Sequence, residues 1–212
     1  MRVAPHGWLW GLAALVWFAA SCSLIPPPHS DTTRYFLLTA VDSGGTERGT
    51  SATGAVNQLA IGLGPIGFPD YLARTEIVTR AADNRLELSS TDRWAEPLDV
   101  TFKRVLAHDL TVALGGAQVT TFPWFGASPR FDYRIEPTID RFEVDAQGVA
   151  HLAARWTVLA GVGGRMLYSS MTDLRIQATS TDPAALAAAL SQAEGGFAGE
   201  IAGAIRRLHG GA

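Results

Sequence analysis

Val149 to Ala160, VAHLAARWTVLA, sets Leu152, Ala154, Trp156 and Val158 on one side of an extended chain and His151, Ala153, Arg155 and Thr157 on the other. A period of two reads as a β-strand with one face buried and the other half-solvated. Two more long strand-like runs flank it, residues 130–145 and 165–178, with Gly148 and Gly161-Val162-Gly163-Gly164 at the turns. The spacing predicts a three-stranded meander. In its first strand Tyr133, Ile135 and Ile139 share one parity while Phe142 and Val144 share the other. That change, close to Pro137, predicts a bulge or bend.

Downstream, Asp182-Pro183 gives an N-cap followed by proline at the first helical position. The stripe Leu186, Leu190, Phe197, Ile201, Ile205 and Leu208 then predicts a helix, and Gly195, Gly196 and Gly199 predict a soft middle. Upstream, Gln118 to Phe122 reads as a strand reached by a crossover from the apolar strand Asn57 to Gly64. Between Trp94 and Leu114 the apolar residues Leu98, Phe102, Val105, Leu106, Leu110 and Leu114 mark one helical face, with Pro97 in its first turn and Gly115-Gly116 at its end. Thr75 to Arg80 and Arg85 to Ser90 flank Asp83-Asn84 as a hairpin, and Arg34 to Val41 is a first strand. Asp42 to Ala55 is a Gly/Ser/Thr-rich loop. No internal repeat is visible. The order predicts one α/β domain over residues 34–212, α+β in character, with helices packed on a mixed β-sheet.

The start of the chain is of a different kind. After Met1-Arg2, residues Trp8 to Ala20 (WLWGLAALVWFAA) carry no charge. That run is short of the ~20 apolar residues a membrane-spanning helix needs, but fits the apolar region of a signal peptide at residues 1–21. Ala19, Ala20 and Ser21 precede Cys22, the one cysteine of the chain. Small residues before a cysteine resemble the lipobox of bacterial lipoproteins, with Ala19 where leucine is usual, so Cys22 is the expected lipidation site. Ala19 and Ser21 also satisfy an ordinary secretory cleavage rule, which would leave a periplasmic protein with a free thiol. Ser23 follows the cysteine instead of aspartate, which by resemblance to the enterobacterial sorting rule directs the product to the outer membrane. Residues 22–33, with Pro26-Pro27-Pro28, read as an extended tether at ~3.1 Å per residue.

Composition excludes several function classes. The 212 residues are 47% hydrophobic and 17% charged, enough to bury a core. The net charge is −3, and loss of Arg2 with the leader makes the mature chain one unit more acidic. Such a chain offers no nucleic-acid footprint, and anionic headgroups do not attract it. One cysteine permits no internal disulfide and no cysteine-rich metal site. The histidines His6, His29, His108, His151 and His209 show no i, i+4 pairing and no HExxH. There is no phosphate loop, no GxSxG, and Gly62-Leu63-Gly64 runs into Pro65, which lacks an N–H for phosphate. The residues therefore point to no catalytic group, no cofactor and no metal. A paired-carboxylate hydrolase around Asp92 and Glu96 is the enzymatic alternative, although Asp92, Glu96 and Asp99 also suit a helix start and Asp70 a Pro-Asp turn.

Aromatic residues outside regular elements are the other candidates. Phe68 and Tyr71 sit in a Pro-rich turn, and Trp124-Phe125 between Pro123 and Gly126. Aromatic side chains in loops serve either as partner anchors or as plugs of the core. Trp94, beside a hairpin and a helix start, reads as core.

The stretch Gly64-Pro65-Ile66, Phe68-Pro69-Asp70-Tyr71-Leu72, Arg74, Ile77-Val78-Thr79-Arg80, Asn84, Leu86 and Asp92-Arg93-Trp94-Ala95-Glu96-Pro97-Leu98, with Tyr35-Phe36-Leu37-Leu38 before it, resembles the ABC-transport auxiliary lipoprotein family, the PqiC-like group. The resemblance covers nearly all of the mature chain. It implies a fold similar to the anticodon-binding-like and TolB N-terminal domains. It also implies a non-enzymatic lipoprotein on the periplasmic face of the outer membrane. Its partner would be an MCE-domain protein of an ABC-type intermembrane lipid transport system that supports envelope integrity. A homo-oligomer is left open, as is a structural envelope lipoprotein with no transport partner. The docking candidates are Trp124 and Phe125 first, then Phe68 and Tyr71.

Overall fold

The computed structural model describes residues 32–41, 59–124 and 130–211. The expected leader, Cys22, most of the tether, the Gly/Ser/Thr loop and Phe125 lie outside them. In chain order the elements are β1 (Arg34–Phe36), β2 (Ala60–Leu63), a 3-10 turn (Asp70–Leu72), β3 (Glu76–Ala82), β4 (Arg85–Trp94), α1 (Leu98–Ala113), β5 (Gln118–Thr121), β6 (Tyr133–Asp145), β7 (Val149–Ala160), β8 (Met166–Gln177) and α2 (Pro183–Gly210). The result is a mixed α/β domain with an eight-stranded sheet and two long helices.

β6 is the spine. Along one edge it pairs antiparallel with β7, which pairs antiparallel with the edge strand β8. Its other edge is shared. Tyr133 to Ile135 pair with β2 in parallel, while Val144 and Asp145 pair with β3 in parallel. The sheet therefore forks, with β2 and β5 on one branch and β3, β4 and β1 on the other. The parity change expected near Pro137 is a register shift between Ile139 and Arg141, in the gap of the fork. The predicted crossover is also present, since β2 and β5 pair in parallel with Ile61 opposite Val119.

Both helices cover one face of the sheet. Leu152, Ala154, Trp156 and Val158 of β7 and Phe142 and Val144 of β6 are buried there with Phe102 and Leu106 of α1 and Phe197 and Ile201 of α2. Trp156 meets Phe197 edge-on at 6.3 Å and donates its indole N–H to Thr172 at 3.0 Å, so its polar end is satisfied inside the core. On the opposite face Arg155 stays exposed and pairs with Asp140.

Three expectations change. β1 is three residues long, after which Leu38 enters the core and the Thr39 N–H donates to Ser191 of α2. Trp94 closes β4 instead of opening the helix, and Pro97, extended at ψ 131°, stands just ahead of α1. α2 runs unbroken through its glycines. An added Cβ at Gly195 would lie 2.9 Å from Val41, and one at Gly196 3.1 Å from Leu174, so these glycines are places where the chain and the sheet press against the helix.

Candidate functional site

The Pro-Asp-Tyr-Leu motif forms the 3-10 turn, and the Ile-Val-Thr-Arg motif runs along β3. Their polar ends meet on Glu143 of β6. Its carboxylate is fully buried, and it accepts the Tyr71 hydroxyl at 2.5 Å, Arg80 Nε at 2.7 Å, Arg141 Nε at 2.9 Å and the Phe142 N–H at 3.2 Å. Burial alone would raise the Glu143 pKa, but these donors together hold it below the ordinary carboxylate range. The Tyr71 phenol is pushed up, first by burial and then by the negative Glu143 it faces. Arg74 Nε closes the turn on the Tyr71 carbonyl at 2.8 Å. The motif thus bridges the gap of the fork, tying the turn, β3 and β6 to one buried charge.

Phe68 of the same turn packs edge-on against Phe102 at 5.3 Å and Phe142 at 6.4 Å. Phe68 and Tyr71 are therefore half-buried with their main contacts directed inward. Trp124 stands elsewhere. It follows β5 and is half-buried, with its ring 5.3 Å from Phe122 and 5.0 Å from Phe131, its Nε1 donating to the Thr120 carbonyl at 3.3 Å, and the Arg134 guanidinium 5.9 Å from the ring. Beneath it is Gly62, where an added Cβ would come within 2.8 Å of Phe131 and 3.1 Å of Trp124. The structure brings Trp124 together with Phe122, Phe131 and Arg134, and no ring contact among the described residues joins it to Phe68 or Tyr71.

The acids of the hydrolase alternative are engaged separately. Asp92 accepts Arg34 Nε and the Ser89 hydroxyl, each at 2.8 Å. Burial raises its pKa, yet these bonds bring it below the usual range. Glu96 accepts the Thr101 hydroxyl at 3.1 Å and Arg104 at 3.2 Å. Neither lines the open grooves of about 580, 370 and 260 Å³ on the described surface. Trp94 is core, at 4% exposure.

Sequence reading missed Glu143. A signal existed, because Arg141 and Glu143 share one strand face two residues apart. It also missed the acids Asp109 of α1 and Glu194 of α2, both buried at the helix–helix interface. Burial and the facing Asp109 push the Glu194 pKa well up, against weaker lowering by the Leu106 backbone and Arg104.

The domain is thus a forked α/β sheet whose motif residues Tyr71 and Arg80 meet on a buried carboxylate, with an aromatic cluster around Trp124 after β5. The chain belongs to the family of the ABC-type transport auxiliary lipoprotein component, whose family model matches residues 43–202. It is 26% identical to the intermembrane transport lipoprotein PqiC of Escherichia coli (strain K12) over 149 residues, 70% of this chain and 72% of that one. Among solved structures it is similar to protein XCC0632 from Xanthomonas campestris, with a TM-score of 0.64 and 19% identity over 81% of this chain and 93% of the other. A second crystal structure, of an uncharacterized protein, gives a TM-score of 0.65 and 20% identity over 82% of this chain and 98% of the other. These two likenesses speak for the fold. The curated relative is, by name, an intermembrane transport lipoprotein.

Proposed function

We propose that this chain is a non-enzymatic auxiliary subunit of an MCE-type ABC intermembrane lipid transport system. On this reading Cys22 carries the lipid, residues 22–33 are the tether, and residues 34–212 work on the periplasmic face of the outer membrane. The observation that carries it is the family match across residues 43–202. The similarity to a lipoprotein whose name contains intermembrane transport supports it. So does the distribution of polar side chains, because the motif residues Tyr71 and Arg80 are engaged by the buried Glu143 and Asp92 by Arg34, in bonds within the domain. Docking falls first to Trp124 and Phe125, with Phe68 and Tyr71 holding the turn behind.

The test is capture of the system's purified MCE-domain protein by the mature chain. Trp124→Ala combined with Phe125→Ala should weaken capture by about 2 kcal/mol or more while the protein still folds. Truncating core plugs would instead cost ~3–5 kcal/mol of folding stability. A wild-type chain that captures nothing would leave a structural envelope lipoprotein as the function.

A further inference from the structure

Arginines without a carboxylate partner are not spread evenly over this acidic chain. Five of the described arginines form no ion pair with a described acid: Arg74, Arg130, Arg165, Arg206 and Arg207. Four of these five lie at one end of the sheet. Arg130 lies three residues before the start of β6. Arg165 sits in the β7–β8 turn, where its carbonyl accepts the Ala160 N–H at 2.8 Å and Gly161 N–H reaches the Asp132 carbonyl at 3.0 Å. Arg206 and Arg207 are at the end of α2. Arg206 donates to the Ala113 carbonyl at the end of α1 at 2.7 Å, Arg207 lies 6.0 Å from the Tyr168 ring, and His209 meets Tyr133 at 6.5 Å. The described acid in these segments is Asp132. Both helix C-termini point to the same end, so their dipoles favour the positive charge.

We propose, resting on the reading above, that this basic end is the docking surface for an acidic segment of the protein partner. Arg130, Arg165 and Arg207 are exposed, and guanidinium groups take carboxylates in paired hydrogen bonds. The surface is continuous with the aromatic docking candidate, because Arg134 touches the Trp124 ring and its Nη2 lies 3.5 Å from a Cβ built on Gly164 of the β7–β8 turn. Val162 and Met166, 82% and 59% exposed, add an apolar contact on that turn. An aromatic flanked by arginines is the composition that protein interfaces favour at their centre. Strand direction argues against a bilayer as the occupant. β1 is parallel to β4, β4 antiparallel to β3, and β3 parallel to β6, so β1 runs opposite to β6. The start of β1, where the chain enters the domain, is therefore at the end of the sheet opposite these arginines.

The experiment uses the mature full chain and the purified MCE-domain protein, with vesicles of phosphatidylglycerol and phosphatidylethanolamine as a separate arm. The expected result is capture that weakens as salt rises, and a loss of about tenfold or more in the Arg165→Glu, Arg207→Glu double variant. The same reversal at Arg85, at the other end of the sheet, should leave capture unchanged. Arg130→Glu is a third reversal, at an exposed residue that forms no ion pair with a described acid, so a folding defect in the double variant does not hide the answer. Wild-type capture with all these variants equal to wild type overturns this docking surface and leaves the proposed function standing. No capture by the wild type overturns both. Binding of the arginine-bearing chain to the vesicles, lost in the same variants and without capture of the protein, overturns the acidic protein segment in favour of anionic lipid.

Discussion

Glu143 carries a full charge in a place with no solvent, and its four donors come from three separate stretches of chain. Taking a carboxylate out of water costs several kcal/mol, which such donors offset only while all are present. Tyr71→Phe removes one of them without creating a cavity. It should destabilise the domain by ~1–3 kcal/mol, read as a lower urea midpoint, and leave partner capture unchanged once folded. Lost capture at an unchanged midpoint would instead make Tyr71 a docking residue. Half of this network was legible in the sequence. Tyr71 and Arg80 stand in motifs, but Glu143 lies between the core residues Phe142 and Val144, where strand alternation sends a polar side chain to the other face. What alternation does not reveal is that the other face is closed here by a turn 72 residues earlier in the chain.

Between the helices the balance of charge reverses. Glu194 is fully buried with its pKa raised, so the folded chain holds it protonated under conditions in which the unfolded chain ionises it. A raised acid gives up stability as pH climbs above its unfolded value, by about 1.4 kcal/mol per pH unit until the folded pKa is reached. Arg104 and Asp109 face it from α1 with opposite effects. Glu194→Gln should therefore melt higher than wild type at pH 7, with an advantage that shrinks towards pH 4.5. Equal melting curves at both pH values would mean that the pair is charged and compensated. The glycines of α2 divide in the same physical way. Gly195→Ala drives a methyl against Val41 and should cost ~1–3 kcal/mol, whereas Gly199, with nothing within 4 Å of an added Cβ, should gain ~0.5–1 kcal/mol as alanine. Thermal melts of the two variants give opposite signs if packing decides, and the same sign if helix propensity does. Helix propensity alone does not reveal this packing, because propensity is local and Val41 arrives from far upstream.

For the whole molecule, the meander and both helices were legible because their periods run over ten or more residues, and the β2–β5 crossover followed from element order. The fork was not, since β2 and β3 claim different ends of the same edge of β6 and each pairing covers only two or three residues. The basic end was equally hidden, for its four arginines come from three segments that are brought to one end only in three dimensions. This distribution of charge bears on how the molecule stays at a membrane. No described helix is long and apolar enough to cross a bilayer, and the net charge of the chain is negative. On the proposed reading, attachment rests on acyl chains at Cys22, where each buried CH₂ contributes ~0.8 kcal/mol and stable anchoring takes more than one chain. Cys22→Ala should move the protein from the membrane fraction to the soluble fraction and abolish incorporation of labelled palmitate, at low salt as at high. Charge reversal at Arg165 and Arg207 should leave fractionation unchanged, because the anchor and the basic end are separate devices. Retention of the Cys22→Ala protein on membranes at low salt, with release at high salt, would instead give the arginines the anchoring role, and retention at both would require a contact other than either.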